Sequence, residues 1–202
     1  MGDDSYLSEI RKGLKESVDF FGSQDKFVLE KWVVVEFLTN LSLVFDESEL
    51  ARGDNPPDVL FRDACFEIKE IVDVGRKRHA EYKQAFIRAS NATDPSELLE
   101  EYSPKDISVE EIYRLIYSEA SHLANRKYSV DFRGRIDLLF YVNLKNVMCL
   151  IEEPFPDVTP LALLGFRSIS FLNGMRSCTF CTRSTESTFL CAKSKVTHRA
   201  IL

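Results

Sequence analysis

The stretch "NPPDVLFRDACFEIKEI", residues 55–71, decides which fold the sequence predicts. It has the alternation of two short strands joined by a tight turn. Three charged side chains, those of Asp58, Glu67 and Lys69, occupy positions where a core strand would be apolar. A charged strand pair inside an otherwise apolar pattern raises the question of whether these residues form a site.

Strand periodicity sorts these charges by face. Side chains alternate between the two faces of a sheet, so Glu67 and Lys69 share one face while Phe66 and Ile68 share the other. Asp58 joins Glu67 and Lys69 only if the turn between the strands contains two or four residues, because a three-residue turn reverses its phase. The site hypothesis therefore requires an even turn.

Two carboxylates and an ammonium on one face suit a particular chemistry. Asp58 and Glu67 offer hard oxygen ligands for Mg²⁺ or Mn²⁺, with water and phosphate filling the remaining positions. Such a metal lowers the pKa of a water and neutralises the phosphate under attack. Lys69 can orient that water or stabilise the charge that develops on phosphorus. The alternative is an ordinary ion-pair cluster on an edge strand.

The surrounding pattern predicts a layered fold. Helices are expected at 4–22, 24–41 and, interrupted at Pro95, 76–126, where a capping box from Ser108 to Glu111 marks a helix start. Strands are expected at 41–45, 58–62, 64–72, 135–144, 166–172 and 187–197, and a polar loop is expected at 46–55. The strand at 135–144 is apolar on both faces, which predicts a central position in the sheet. We therefore predict an α/β fold with a mixed β-sheet flanked by helices. One domain is expected to span residues 1–202, with a helical insertion at about 76–128 between the charged strand and the next strand of the sheet.

Composition limits the classes of protein. The 202 residues are 45% hydrophobic and 29% charged, which is typical of a globular domain with a core. The sequence contains no run of 18 apolar residues, so it predicts no membrane-spanning helix. The acidic N-terminus has no apolar signal region, and five cysteines, an odd number, indicate reduced thiols. We therefore expect a cytoplasmic protein without a membrane partner.

Basic residues are clustered although the net charge is −6. The segment "GRKRH" at 75–79 is expected to open a helix, where free N–H groups also favour anions. The candidates for nucleic-acid phosphate contacts are Arg76, Lys77 and Arg78, with Lys83 one turn further on. The alternative is that these are ordinary surface residues. A second cluster comprises Arg126, Lys127, Arg133 and Arg135, with the rings of Tyr128 and Phe132 available either for base stacking or for the core.

The C-terminal cysteines allow a different kind of site. Cys178, Cys181, Cys191 and His198 have the residue types of a Cys₃His zinc site. The alternative is structural: Cys191 lies in an expected strand, and Cys178 and Cys181 flank Phe180 in an expected turn. The sequence leaves zinc binding open.

The motif and the element order together resemble a known family. "PD" at 57–58 followed by "EIK" at 67–69 resembles the PD-(D/E)xK nuclease superfamily, which has the restriction-endonuclease-like fold. The segments "EKWVVVEFL", "PPDVLFRDACFEI", "VDVGRKRH", "IDLLFYVNLK" and "PFPDVTPL" further resemble a small bacterial family of candidate endonucleases of unknown function. This resemblance implies a metal-dependent endonuclease that acts on nucleic acid, with DNA favoured, and a homodimer if both strands of a duplex are cut.

The same resemblance implies a further acidic residue from the first core helix. Glu30 is favoured because it lies on the apolar stripe with Val34 and Phe37, where a carboxylate needs a partner or a metal. Glu36 lies instead on the helix face that carries Trp32. The functional alternative is a non-catalytic module of the same fold that binds nucleic acid or another protein.

Overall fold

The computed structural model describes residues 3–22, 25–54, 56–183, 189–193 and 195–200. The chain forms two compact units. The helical unit comprises Met1–Leu29 and Val74–Ser103, and the sheet unit comprises Glu30–Asp73 and Pro104–Leu202. Of the segment predicted to be a helical insertion, residues 76–103 belong to the helical unit and residues 104–128 belong to the sheet unit.

Nine strands are found in the described ranges. In chain order they are β1 (Leu50–Arg52), β2 (Val59–Phe61), β3 (Ala64–Val72), β4 (Lys105–Ser108), β5 (Asp137–Asn143), β6 (Val147–Ile151), β7 (Ser168–Asn173), β8 (Arg176–Thr182) and β9 (Thr197–His198). Seven form one sheet in the order β1-β2-β3-β5-β7-β8-β9, and β4 pairs with β6 in a small second sheet. The central strands β3, β5 and β7 are parallel, and the outer pairs are antiparallel, which confirms the predicted mixed sheet.

The helices connect these strands. They are α1 (Asp3–Phe21), α2 (Lys26–Asn40), α3 (Arg78–Asn91), α4 (Val109–Arg126), α5 (Val130–Arg133) and α6 (Thr159–Leu163), with 3₁₀ turns at Glu47–Glu49 and Pro95–Leu98. The Ser108 hydroxyl accepts from the N–H of Glu111, and the Glu111 carboxylate accepts from Ser108, so α4 begins at the capping box that the sequence predicts. In the part of the chain that is described, no helix is both long and apolar enough to cross a membrane.

Helices cover both faces of the central sheet. The Phe37 ring of α2 packs edge-on against Phe66, with centroids 6.0 Å apart. On the other face, Ile112 and Ile116 of α4 join Leu138 of β5 in one buried cluster. Because β3 alternates like any strand, Glu67 and Lys69 project to the α4 side while Phe66 and Ile68 project to the α2 side. The site face of β3 is therefore the face that α4 covers.

The helical unit has its own contacts. The Arg11 guanidinium donates to the carbonyl oxygens of Ala89 at 2.8 Å and Ala92 at 2.7 Å. An arginine in this position satisfies carbonyls that the end of α3 leaves without intrahelical partners. The rings of Phe21 and Tyr82 stack with centroids 5.0 Å apart. These contacts join α1 to α3.

The predicted strand at 41–45 is wrong. Ser42 adopts a left-handed conformation with φ 56°. Its N–H donates to Thr39, and the N–H of Leu43 donates to Leu38, which is the Schellman pattern that closes a helix. The apolar residues after α2 therefore terminate that helix, and the neighbouring strand β1 begins later, in a segment predicted to be a loop.

The C-terminal strands also differ from the prediction. Cys178 and Cys181 lie inside β8, whereas the turn comes earlier, where Asn173 pairs with Arg176 across Gly174. The two loop residues are Gly174 and Met175, and Gly174 has φ 56°, so a glycine at the first loop position is the signal for this hairpin. The strand predicted at 187–197 falls partly outside the described residues, and within them only Thr197–His198 pairs with β8.

Candidate active site

The turn between β2 and β3 has two residues. Phe61 pairs with Ala64, so only Arg62 and Asp63 form the loop. Arg62 takes the left-handed conformation with φ 51° that such a turn requires, and its guanidinium is bound to Glu49 at 2.8 Å. The turn therefore has the even length that the site hypothesis requires.

Asp58 lies immediately before β2 and is almost fully buried. Its main-chain N–H donates to the Phe66 carbonyl at 2.8 Å, and its Oδ2 accepts from the N–H of Ile68 at 2.8 Å. The strand pairing of β2 with β3 begins at Val59, which lies opposite Phe66. The Asp58 carboxylate satisfies the Ile68 N–H instead and lies against the Glu67–Ile68 peptide.

Glu67 is the centre of a buried hydrogen-bond network. It is 1% exposed, and its Oε1 accepts from the ammonium of Lys69 at 2.5 Å, the hydroxyl of Tyr128 at 2.5 Å and the ammonium of Lys127 at 3.3 Å. Lys69 also donates to the Ile68 carbonyl at 3.1 Å. The Oε2 atom is buried and has no hydrogen-bond partner among the described residues.

Opposing effects set the charge of Glu67. Burial alone would raise the pKa of its carboxyl, but hydrogen bonds from Lys69 and Tyr128, with the positive charges of Lys69 and Lys127, lower the net pKa below its ordinary value. Burial and the hydrogen bond to Glu67 raise the pKa of the Tyr128 hydroxyl, so this group remains a donor at neutral pH. The site therefore holds an ionised carboxylate in a largely buried position.

The two candidate glutamates of α2 have different surroundings. Glu30 is buried on the same helix face as Val34 and Phe37, as its position on the apolar stripe predicts. Glu36 is half-buried and pairs with Arg199 at 2.6 Å. Glu30 lies on the helix face that carries Phe37, whose ring packs against Phe66 of β3.

The arrangement fits a metal only in part. Among the described residues, no group of three or more His, Cys, Asp and Glu side chains is placed to hold a metal ion. However, Mg²⁺ often binds through one or two carboxylates and completes its shell with water and phosphate. The buried Oε2 of Glu67 is a polar atom with no hydrogen-bond partner among the described residues, as such a ligand requires. The described residues therefore form no closed protein cage, and a metal here would rest on two carboxylates, those of Asp58 and Glu67.

The candidate phosphate contacts at 76–83 lie in the helical unit. The Arg76 guanidinium pairs with Glu81 at 2.9 Å, and the Arg78 guanidinium lies 4.0 Å above the Phe21 ring. Lys77 and Lys83 are exposed. α3 begins at Arg78, which confirms that this segment opens a helix, and the phosphate role of these residues remains a prediction.

The four candidate zinc ligands are in different settings. Cys178 and Cys181 are buried in β8, and burial raises the pKa of Cys178 to about 12 and that of Cys181 to about 11. Cys191 is exposed, and His198 pairs with Glu152. Among the described residues, no metal-binding group includes these side chains.

Sequence reasoning missed a second buried charge pair. The Asp137 carboxylate accepts from the Arg167 Nε at 2.9 Å, the Ser168 hydroxyl at 2.7 Å and the Cys65 N–H at 2.8 Å. Asp137 opens β5, so it joins this strand to β3 and to the segment entering β7. The sequence carries one signal for this pair. Asp137 is an acidic residue at the first position of an apolar strand, and Arg167 follows just before the next strand of the sheet.

The role of Tyr128 was also missed. The sequence offered base stacking or core packing, and the tyrosine is indeed buried, with its ring stacked on Phe132. Its hydroxyl, however, contacts Glu67. Nothing in the sequence places residue 128 next to residue 67, because only the packing of α4 on β3 brings them together.

Comparisons with known proteins agree with the endonuclease interpretation in part. A family model described as "Putative endonuclease, protein of unknown function (DUF1780)" matches residues 2–200. A solved structure from Pseudomonas aeruginosa, described as a protein of unknown function of the monooxygenase superfamily, aligns with a TM-score of 0.57 and 24% identity over 94% of this chain and 91% of that chain. At this identity the similarity shows the fold alone. No curated protein matches the chain.

Proposed function

The chain belongs to this DUF1780 family, and we propose that it is a metal-dependent nuclease of the PD-(D/E)xK type. The reaction is hydrolysis of phosphodiester bonds in nucleic acid, with DNA as the favoured substrate and Mg²⁺ or Mn²⁺ as the cofactor. A homodimer would present two such sites to a duplex.

One observation carries the proposal. The Asp58 carboxylate accepts from the N–H of Ile68, and the residues on either side of Ile68 are Glu67 and Lys69, whose side chains bind each other. Three charged groups thus meet around one residue of a central strand. Burying such groups costs free energy unless they are paired or serve a site, so their position supports a functional role.

The topology supports the restriction-endonuclease-like assignment. β1, β2 and β3 form an antiparallel meander after the core helix α2, and β5 then joins β3 in parallel. That order of one helix, three strands, helices and further strands is what the resemblance implies. The Pro-Asp pair falls at the entry to β2 and the E-x-K triplet falls inside β3.

Each residue of the proposed site has a distinct role. Asp58 and Glu67 would hold the metal, and Glu30 would assist from α2. The metal supplies Lewis-acid stabilisation of the phosphate and a more acidic water. Lys69 is a compact cation beside Glu67, suited to orient the attacking water and to stabilise negative charge on the phosphate.

A non-catalytic module of the same fold is the second candidate. The observation in its favour is that Lys69, Tyr128 and Lys127 all donate to the same oxygen of Glu67, so the carboxylate already has cationic partners. A binding module would keep this network and its basic surface without cleavage. The two candidates differ in whether divalent metal binds at Glu67.

Cleavage assays test the proposal directly. Purified protein is incubated with plasmid, linear duplex, single-stranded DNA and RNA in Mg²⁺, Mn²⁺ or EDTA. We expect metal-dependent cleavage that is lost in Lys69→Met and Asp58→Asn. Cleavage that persists in both variants would remove these residues from the active site, and binding without cleavage under every condition would favour the module.

The contribution of α2 has a matched pair of variants. Glu30→Gln and Glu36→Gln make the same chemical change at two positions of one helix, which are less than two turns apart. We expect Glu30→Gln to weaken Mn²⁺ binding, measured by titration calorimetry, while Glu36→Gln leaves it unchanged. Equal effects of the two variants would contradict a specific role for Glu30.

A further inference from the structure

Lys127 contacts Glu67 from the solvent side. Its ammonium lies 3.3 Å from Oε1, and its side chain is 50% exposed, compared with 20% for Lys69. Lys127 is the residue that caps the C-terminal end of α4, a position at which a cation is favoured by the helix dipole. The basic residue is thus fixed at its backbone while its charged end reaches both solvent and the buried carboxylate.

Of the three hydrogen bonds to Oε1 of Glu67, the one from Lys127 can be broken at the smallest energetic cost. Lys69 and Tyr128 each donate to the same oxygen at 2.5 Å, which is shorter than the Lys127 contact. If Lys127 moves away, Oε1 still has two donors and the carboxylate keeps a paired ammonium. No buried acceptor becomes unsatisfied, so this movement has a small energetic cost.

The Tyr128 ring lies beside the Lys127 ammonium. The Lys127 ammonium lies 4.8 Å from the ring centroid, and the ring itself is stacked on Phe132. Buried aromatic packing immobilises the ring, and its face attracts the cation whether or not Glu67 is bound. The ammonium is therefore kept near the site in both positions.

We propose that Lys127 is a nucleic-acid ligand of this site, which exchanges the Glu67 carboxylate for a backbone phosphate when substrate binds. The inference rests on the proposed function, because it takes the Glu67 site as the place where the phosphodiester lies. Two further basic residues of the same segment, Arg126 and Arg135, are exposed, and Arg133 is half-buried. In this proposal, a residue at the C-terminal end of α4 contacts the phosphate that lies next to Glu67.

Binding measured without cleavage tests the inference. Fluorescence anisotropy with labelled DNA of about 20 nucleotides, single-stranded and duplex, is recorded in EDTA over a series of salt concentrations. Each lysine–phosphate contact contributes a slope of roughly 0.9 in log K against log salt for a duplex, which corresponds to about 8-fold in affinity at 0.1 M salt. We expect Lys127→Met to lose about this much affinity and slope.

Two further variants separate a phosphate contact from a general effect. Arg114→Met removes the same charge from the same helix, about 20 Å away along its axis, where Arg114 pairs with Glu110. It is expected to retain the affinity and salt slope of the unaltered protein. Lys127→Arg keeps a phosphate donor and is expected to restore the slope.

The possible results separate this inference from the proposed function. If Lys127→Met binds DNA with unchanged affinity and slope, or if the unaltered protein binds no nucleic acid, the inference is overturned. If Lys127→Met loses binding as expected but no nucleic acid is cut in Mg²⁺ or Mn²⁺, the phosphate contact is supported and the nuclease activity is not. If the unaltered protein cuts nucleic acid but Lys127→Met binds DNA as the unaltered protein does, the nuclease activity is supported and the phosphate contact of Lys127 is overturned.

Discussion

The hydroxyl of Tyr128 donates a 2.5 Å hydrogen bond to Oε1 of Glu67, across 61 residues of sequence. Both residues are buried, and the bond joins the end of α4 to the central strand β3. It supplies an uncharged donor to a carboxylate whose other donors, among the described residues, are ammonium groups. The orientation of Glu67 therefore depends on a residue outside the PD…ExK motif.

Removal of that hydroxyl is expected to destabilise the fold. Tyr128→Phe keeps the ring and deletes one hydrogen bond to a buried charge, so we expect the free energy of unfolding to fall by about 1.5–3 kcal/mol. Urea denaturation measures the change. Tyr117→Phe provides a control, since the Tyr117 side chain is 39% exposed and stacks on Tyr113, and it should change stability by less than about 0.5 kcal/mol. Equal effects of the two variants would contradict a special role for the Tyr128 hydroxyl.

The Glu67 network predicts a pH dependence of stability. The folded state lowers the pKa of this carboxyl from its ordinary value of 4.5. Its contribution is therefore fully present above pH 4.5 and is lost as pH falls through the lowered pKa. The difference in unfolding free energy between the unaltered protein and Glu67→Gln should be constant near neutral pH and shrink below pH 4.5. A difference that grows on acidification would show that the pKa is raised instead.

Asp58 has a structural role that can be separated from its charge. Asp58→Asn keeps an oxygen that can accept from the Ile68 N–H, whereas Asp58→Ala leaves that buried donor without its acceptor. We expect Asp58→Ala to cost about 1–3 kcal/mol of stability and Asp58→Asn to cost less. Both variants should lose Mn²⁺ binding in titration calorimetry. Retention of metal binding by Asp58→Asn would exclude its carboxylate as a ligand.

The Asp137–Arg167 pair should be among the most sensitive structural contacts. Asp137 is 1% exposed, and burial of the Arg167 guanidinium opposes its charge while the Asp137 hydrogen bond and charge favour it, so the net pKa of Arg167 is raised. Arg167→Met leaves the buried carboxylate without this partner, and we expect a loss of about 3–5 kcal/mol in unfolding free energy.

A surface pair provides the comparison. Arg114→Met breaks the exposed pair with Glu110 on α4 and should cost less than about 1 kcal/mol. Thermal and urea unfolding of both variants give the two values. If Arg167→Met is as mild as Arg114→Met, the Asp137 network does not hold β3, β5 and β7 together.

Local patterns were sufficient for much of the fold. The capping box at Ser108 placed the start of α4, and the apolar run of β5 identified a central strand. The prediction failed where a short segment could serve two purposes, as at 41–45, whose apolar residues complete the end of α2 through Ser42. Periodicity cannot distinguish a helix cap from a short strand, because both use a few apolar residues after a helix.

The sequence by itself determined that Glu67 and Lys69 share a face, because alternation in a strand is a property of the backbone. It also placed Asp58 at the start of the strand that pairs with β3. The two-residue turn then puts Asp58 on the same face of the sheet as Glu67 and Lys69. Tertiary structure alone decided which groups surround these charges. Lys127 and Tyr128 reach Glu67 only because α4 packs over β3, and Asp137 binds Arg167 only because β5 lies beside β7. Contacts between distant segments depend on how apolar faces pack, and no local spacing encodes them.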